Sequence, residues 1–114
     1  SMNIQDYSSQ AITTLLGDHA ITDMDATLLS QVFGLMGESG EVAEKFKKLI
    51  RDKKGVISDE DKAEIIKELG DILWYINSVS HLLGSSLEEV AEKNLDKVLS
   101  RKQRGKTQGS GDNR

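Results

Sequence analysis

Glu68-Leu69-Gly70-Asp71-Ile72-Leu73-Trp74-Tyr75-Ile76 sets two carboxylates three residues apart at the head of a run that is apolar on nearly every side of a helical cylinder. On a helix, residues i and i+3 share a face, with their Cβ atoms about 5–6 Å apart. Upstream, Glu38-Ser39-Gly40-Glu41 repeats that geometry inside another largely apolar helical stretch. Two such helices side by side present four carboxylates to one space, and four negative charges share a partly dry site only when cations neutralise them. Hard oxygen donors select Mg²⁺ or Mn²⁺, and Mg²⁺ held by a few carboxylates keeps waters and reaches for phosphate. The chain therefore reads as all-α, with a phosphate-handling site carried on its helices.

Working outward, the periodicity predicts four helices. The first covers about Asn3 to Leu16, with Gly17 suited to a left-handed C-cap, and Asp18 to Asp25 form a polar connection. The second starts near Asp25 or Ala26 and reaches about Asp52, with Val32, Leu35, Phe46 and Leu49 at helical spacing, before Lys53-Lys54-Gly55 ends it. Ser58 caps the third, whose first turn holds Asp59, Glu60 and Asp61, and which runs to Leu83 before Gly84. Ser86-Leu87-Glu88-Glu89 has the capping-box pattern and opens the fourth, with Leu87, Val90, Ala91, Leu95 and Val98 on its apolar face and an end near Arg104. The expected architecture is a four-helix bundle-like protomer around two long antiparallel helices, each on the order of 40 Å. Residues 1–104 form a single all-α domain, and 105–114 a polar, glycine-rich, flexible tail. The third helix is apolar all round from Leu69 to Leu83, more than a chain of 114 residues can cover alone, so a homo-oligomer is expected.

Composition narrows the function classes. With no cysteine there is no disulfide, thiol catalysis or thiolate metal site, and with no proline the commonest helix breaker is missing. Both suit a reduced cytoplasm, the expected location. No apolar run approaches the ~18–20 residues that cross a bilayer, and no leader pattern is expected, Ser1 being set aside as foreign to the native start. The net charge of −4 argues against a nucleic-acid binder. Acids concentrate between Glu38 and Glu92, whereas Lys93, Lys97, Arg101, Lys102, Arg104, Lys106 and Arg114 make the C-terminal end basic. A small polyanion, held by metal on one side and by bases on the other, would use both.

Isolated acidic pairs such as Glu60 with Glu64, or Glu88 with Glu92, decorate solvated faces. Glu38, Glu41 and Glu68 instead lie at or near the margins of apolar stripes, and Asp71 falls where solvation is least expected, so it needs a partner; Lys67 is the nearest lysine of its own helix. From the wheel alone, metal binding and salt bridging both remain open. Gly34, Gly37 and Gly40 each cost about 1 kcal/mol in a helix. Tight helix packing accounts for Gly34, and room beside a metal cluster for Gly40 and Gly70. On the fourth helix Asn94, Lys97 and Arg101 make one row, either a structural polar row or a phosphate clamp. His19 and His81 are assigned no catalytic role.

The order Glu-x-x-Glu, 26 residues, Glu-x-x-Asp, then Asn-x-x-Lys-x-x-x-Arg resembles the MazG-like nucleotide pyrophosphohydrolases of the all-α NTP pyrophosphatase superfamily. The likeness rests on Gly37-Glu38-Ser39-Gly40-Glu41-Val42, Glu68 to Tyr75 and Asn94-Leu95-Asp96-Lys97, and extends to the closing Gly109-Ser110-Gly111-Asp112-Asn113-Arg114; many relatives carry another glutamate at the position of Gly37. The resemblance implies Mg²⁺-dependent hydrolysis of nucleoside triphosphates, dNTP or NTP, between the α and β phosphates, giving a monophosphate and pyrophosphate. It implies metal ligands at Glu38, Glu41, Glu68 and Asp71, water activation by Glu38 or Glu41, substrate contacts from Lys93, Asn94, Lys97 and Arg101, and a homodimer or homotetramer. Restriction to dUTP or an alarmone, and a noncatalytic nucleotide-binding or antitoxin-like oligomer, stay open as alternatives. Trp74 and Tyr75 pack a subunit interface or line a base pocket.

Overall fold

A computed structural model describes residues 1–16 and 24–105. Among these residues the chain forms four α-helices and no strand: α1 (Ile4–Ile12), α2 (Ala26–Lys53), α3 (Asp59–Leu82) and α4 (Leu87–Gln103). Ser58 and Ser86 cap α3 and α4 as the sequence predicts, but the reciprocal capping box forms at Ser58 and not at Ser86. Asp25 accepts from the Leu28 N–H, Ser58 and Asp61 form a reciprocal capping box, and Ser86 accepts from the Glu89 N–H. Lys54 closes α2 in the left-handed conformation at φ 54°, with Gly55 following at φ 81°. The carboxyl of Asp61 is held down to about 2, first by the Ser58 backbone N–H and then by Lys53 and the Ser58 hydroxyl.

Two expectations need correction. The first helix stops at Ile12, not Leu16, because Thr13 and Thr14 turn their hydroxyls onto the carbonyls of Gln10 and Ala11 at 2.6 and 2.7 Å and so satisfy the last turn locally; Gly17 lies outside the described residues. The apolar face expected of α4 is buried in the protomer only at Leu87, while Val90, Leu95 and Val98 remain exposed. Most of the expected tail, residues 106–114, also lies outside the described residues.

The principal packing is between α2 and α3. Its contacts run through Gly34 with Tyr75, Glu38 with Asp71, Lys45 with Glu68 and Lys53 with Asp61, so ascending positions on α2 meet descending positions on α3. Leu49 of α2 and Ile65 of α3 are buried beyond the acids. Tyr75 lies directly on the bare backbone of Gly34: a Cβ there would collide with the ring, coming within 2.9 Å of Cδ1 and closer still to Cε1 and Cζ. Tight packing is therefore the reason for Gly34. At Gly40 and Gly70 a Cβ would meet nothing within 4 Å, so packing in the protomer does not require either glycine.

The short α1 is fastened across α3 by polar contacts. The buried Asn77 accepts from the Ser8 hydroxyl at 2.7 Å and donates its amide N–H to the Ser8 carbonyl at 3.3 Å, and one turn earlier the Trp74 indole N–H donates to Thr14 Oγ1 at 2.8 Å. The α4 helix touches α1 and α3.

Gly34→Ala is expected to destabilise the protein although the same exchange ordinarily favours an exposed helix by about 1 kcal/mol. Overpacking against Tyr75 costs about 1–3 kcal/mol and wins. Thermal melts should show a lowered Tm for Gly34→Ala, and in a Tyr75→Leu background the glycine exchange should turn neutral or stabilising.

Candidate functional site

The register of α2 on α3 assembles the acids. Glu38 follows Gly34 by one helical turn and Asp71 precedes Tyr75 by one turn, so the contact that seats Tyr75 brings these carboxylates to the same level. Glu68, one turn before Asp71, completes a trio in which one carboxylate oxygen from each residue lies within 4.8 Å of the others. Around an octahedral Mg²⁺ adjacent oxygens are about 3 Å apart and opposite ones about 4.2 Å, and three ligands include one opposite pair at most, so the trio has to draw in by as much as about 2 Å to hold such an ion. The donors are all hard oxygens and come from two rigid helices. The residues fit a divalent cation.

Electrostatics at the trio point the same way. The Glu38 carboxyl is pushed above its ordinary range by burial first, then by the charges of Asp71, Glu68 and Glu41, with a hydrogen bond to Glu68 adding to the effect. Lys45 stands 3.8 Å from Glu68 and compensates one of the three charges. The Tyr7 hydroxyl of α1 is pushed up by burial and by the negative charge of Asp71, which brings a residue from outside the two long helices into the field of the cluster. A cavity of about 330 Å³ opens beside two of the three acids, lined by Glu38, Asp71, Trp74 and Tyr75.

Three of the four acids expected as ligands thus converge. Glu41 is exposed and stands outside the trio, though close enough for its charge to act on Glu38. The expectation that Asp71 sits where solvation is least is corrected: the side chain is exposed, because Gly70 and Asp71 occupy the face of α3 that the protomer leaves open. Lys67 does not serve it, being paired with Glu64 at 3.1 Å.

The basic row of α4 is not brought to the same place. Among the described residues none of Lys93, Asn94, Lys97 and Arg101 lines the cavity beside the trio. Lys93 and Asn94 are exposed, Lys97 is half-buried and Arg101 is buried. Asn94 and its neighbour Leu95 are both exposed, so Asn94 does not stand in a buried stripe of α4.

Sequence reasoning missed Lys45, Tyr7 and Thr14. Lys45 had a signal, since it follows Glu41 by four residues and Glu38 by seven on the same face of α2. Tyr7 and Thr14 had none, because their approach depends on how α1 docks.

The MazG nucleotide pyrophosphohydrolase domain family matches residues 26–105, which include α2, α3, α4 and every acid of the site. The gene 37 protein of Mycobacterium phage L5 is 51% identical over 81 residues, which cover 71% of this chain and 71% of that protein. No solved structure matches the chain. With that match over more than half of its length, this chain, whose described residues form helices and no strand, belongs to the MazG nucleotide pyrophosphohydrolase domain family. No helix among the described residues is long and apolar enough to cross a membrane.

A group whose folded pKa is raised binds its proton more tightly in the folded chain, so the metal-free protein should lose stability as pH rises from the ordinary 4.5 through the Glu38 value. In chelator, Glu38→Gln should melt at or above the wild-type temperature at neutral pH and lose part of that pH slope. Saturating Mg²⁺ or Mn²⁺ should raise the wild-type Tm by several degrees and the Glu38→Gln Tm by far less. Melts with and without metal across the pH range check both.

Proposed function

We propose that the protein hydrolyses nucleoside triphosphates between the α and β phosphates, releasing a nucleoside monophosphate and pyrophosphate, with Mg²⁺ as its ion and Mn²⁺ as a substitute. The observation that carries this reading is the convergence of Glu38, Glu68 and Asp71 beside a cavity walled by Trp74 and Tyr75. Membership of the pyrophosphohydrolase family supports it.

Glu38, Glu68 and Asp71 would hold a divalent ion, which would supply positive charge for the phosphate oxygens and lower the pKa of an attacking water. Glu41, on the same helix and outside the trio, is free to orient the water or take its proton, and Glu38 is the alternative base. Lys97 and Arg101, with Lys93, offset the charge of the departing pyrophosphate, and Asn94 contacts sugar or phosphate. Their distance from the cavity wall in the protomer is met by an assembly in which a second copy helps to close the site. The long helices α2 and α3 serve as an antiparallel spine, supported by the descending order of their contacts.

A homodimer or homotetramer follows from what the protomer leaves uncovered. Phe33 and Met36 of α2 are about two-thirds exposed at 64% and 65%, Ile66 of α3 equally so at 65%, and Leu69 half exposed. These residues flank the acids on both helices, and apolar area of this kind on a short chain is most economically buried against itself.

Incubation with a panel of ribo- and deoxyribonucleoside triphosphates and Mg²⁺, with product resolution, is expected to yield monophosphate and pyrophosphate. Orthophosphate with a diphosphate would overturn the assigned bond. Asp71→Asn should lower kcat by on the order of a hundredfold or more, since even residues that only support metal ligands cost about 10–100-fold, while leaving the elution volume unchanged. Light scattering over a dilution series should report a dimer or tetramer; a monomer at micromolar concentration would refute the assembly.

A further inference from the structure

Two aromatic rings line the cavity beside the acids, and they are not equivalent. Tyr75 is committed to structure, since its ring covers Gly34 and holds α2 at its distance from α3. Trp74 stands edge-to-face with Tyr75, with ring centroids 5.1 Å apart and an interplanar angle of 87°. That arrangement leaves at least one indole face clear of its neighbour. The indole N–H, the ring's one polar group, is already spent on Thr14 Oγ1 at 2.8 Å. Trp74 therefore presents to the cavity a held aromatic surface with no donor left to read the edge of a base.

The spacing to the acids fits a nucleotide. Trp74 follows Asp71 by three residues and so lies on the same face of α3, one turn along. In a nucleotide, base and α-phosphate are separated by a single ribose. A phosphate held at the trio leaves its base over the next turn, and the cavity of about 330 Å³ is within the size range of small-molecule sites.

We infer that the nucleobase of the substrate stacks on Trp74, and that Thr14 is a positioning residue that fixes the indole for it. The inference rests on the nucleotide reading of the acidic trio and deepens it. Stacking on a ring whose donor is occupied is tolerant of base identity, because every base offers a π-face. The site accordingly takes purine and pyrimidine nucleotides alike, with purines held more tightly through their larger overlap.

Trp74 is the only tryptophan of the chain, so its fluorescence reports the contact directly. The wild-type protein is titrated, in Mg²⁺, with α,β-methylene analogues of purine and pyrimidine triphosphates and separately with inorganic tripolyphosphate. Excitation is at the red edge of the indole band, where the nucleotides do not absorb. Quenching by the analogues and not by tripolyphosphate is expected. In the hydrolysis assay, Trp74→Leu should raise KM for nucleoside triphosphates about five- to a hundredfold, with the inhibition constant of tripolyphosphate unchanged. Thr14→Val should raise KM more than it lowers kcat and should shift the indole emission.

Equal quenching by tripolyphosphate, or emission that follows protein concentration and ignores nucleotide, would overturn the stack. Hydrolysis in the wild type without any quenching defeats the stack and leaves the enzymatic reading standing. Quenching by the analogues in a protein that turns over no triphosphate supports the stack and defeats the enzymatic reading.

Discussion

The contact of the Tyr75 ring with the bare backbone of Gly34 governs the rest of this molecule. It sets how closely α2 approaches α3, and it sets their register, because a ring wedged against a gap in the neighbouring helix has one place to sit. One turn along each helix from that point come Glu38 and Asp71. A slip of either helix by a residue would rotate its carboxylate by about 100° and dissolve the trio. The geometry of the carboxylate trio is thus inherited from an uncharged contact, and the charged groups, which repel, do not have to find one another.

Repulsion among the three carboxylates is partly offset within the protomer. Lys45 faces Glu68, and Glu38 holds its proton more tightly than a free carboxyl. Farther along, Leu49 and Ile65 are buried and Lys53 pairs with Asp61, so the two helices are joined on the far side of the acidic level by contacts that need no ion. The arrangement resembles a clamp fixed at both ends with its open segment between. The scaffold tolerates the cluster because its neighbours supply what the cluster lacks.

Much of this was legible in the sequence, for reasons that can be traced to individual residues. Helix ends were readable where a side chain serves its own local backbone: Asp25, Ser58 and Ser86 cap their helices whatever the tertiary structure does. The pairing of Glu-x-x-Glu with Glu-x-x-Asp was readable because helical spacing is local. Exposure was not. Asp71 looked enclosed by its apolar neighbours in sequence, yet those neighbours point around the cylinder and leave it open. The face of α4 that carries Leu95 and Val98 reads as core by periodicity, but periodicity reports only that a face is apolar, and the protomer does not cover this one. The docking of α1 was beyond reach altogether, because it rests on Asn77 with Ser8 and Trp74 with Thr14, pairs separated by 69 and 60 residues.

That docking divides the molecule's labour in a way that bears on how such a protein can change. The carboxylates come from α2 and α3 alone, whereas the N-terminal segment reaches the cavity through the hold of Thr14, just past α1, on Trp74 and the approach of Tyr7 to Asp71. A substitution in α1 can therefore reshape the wall without removing an acid, and a substitution among the acids leaves the wall in place. The two can thus change separately: the N-terminal segment can recast the shape of the cavity while the two long helices keep the carboxylates in register.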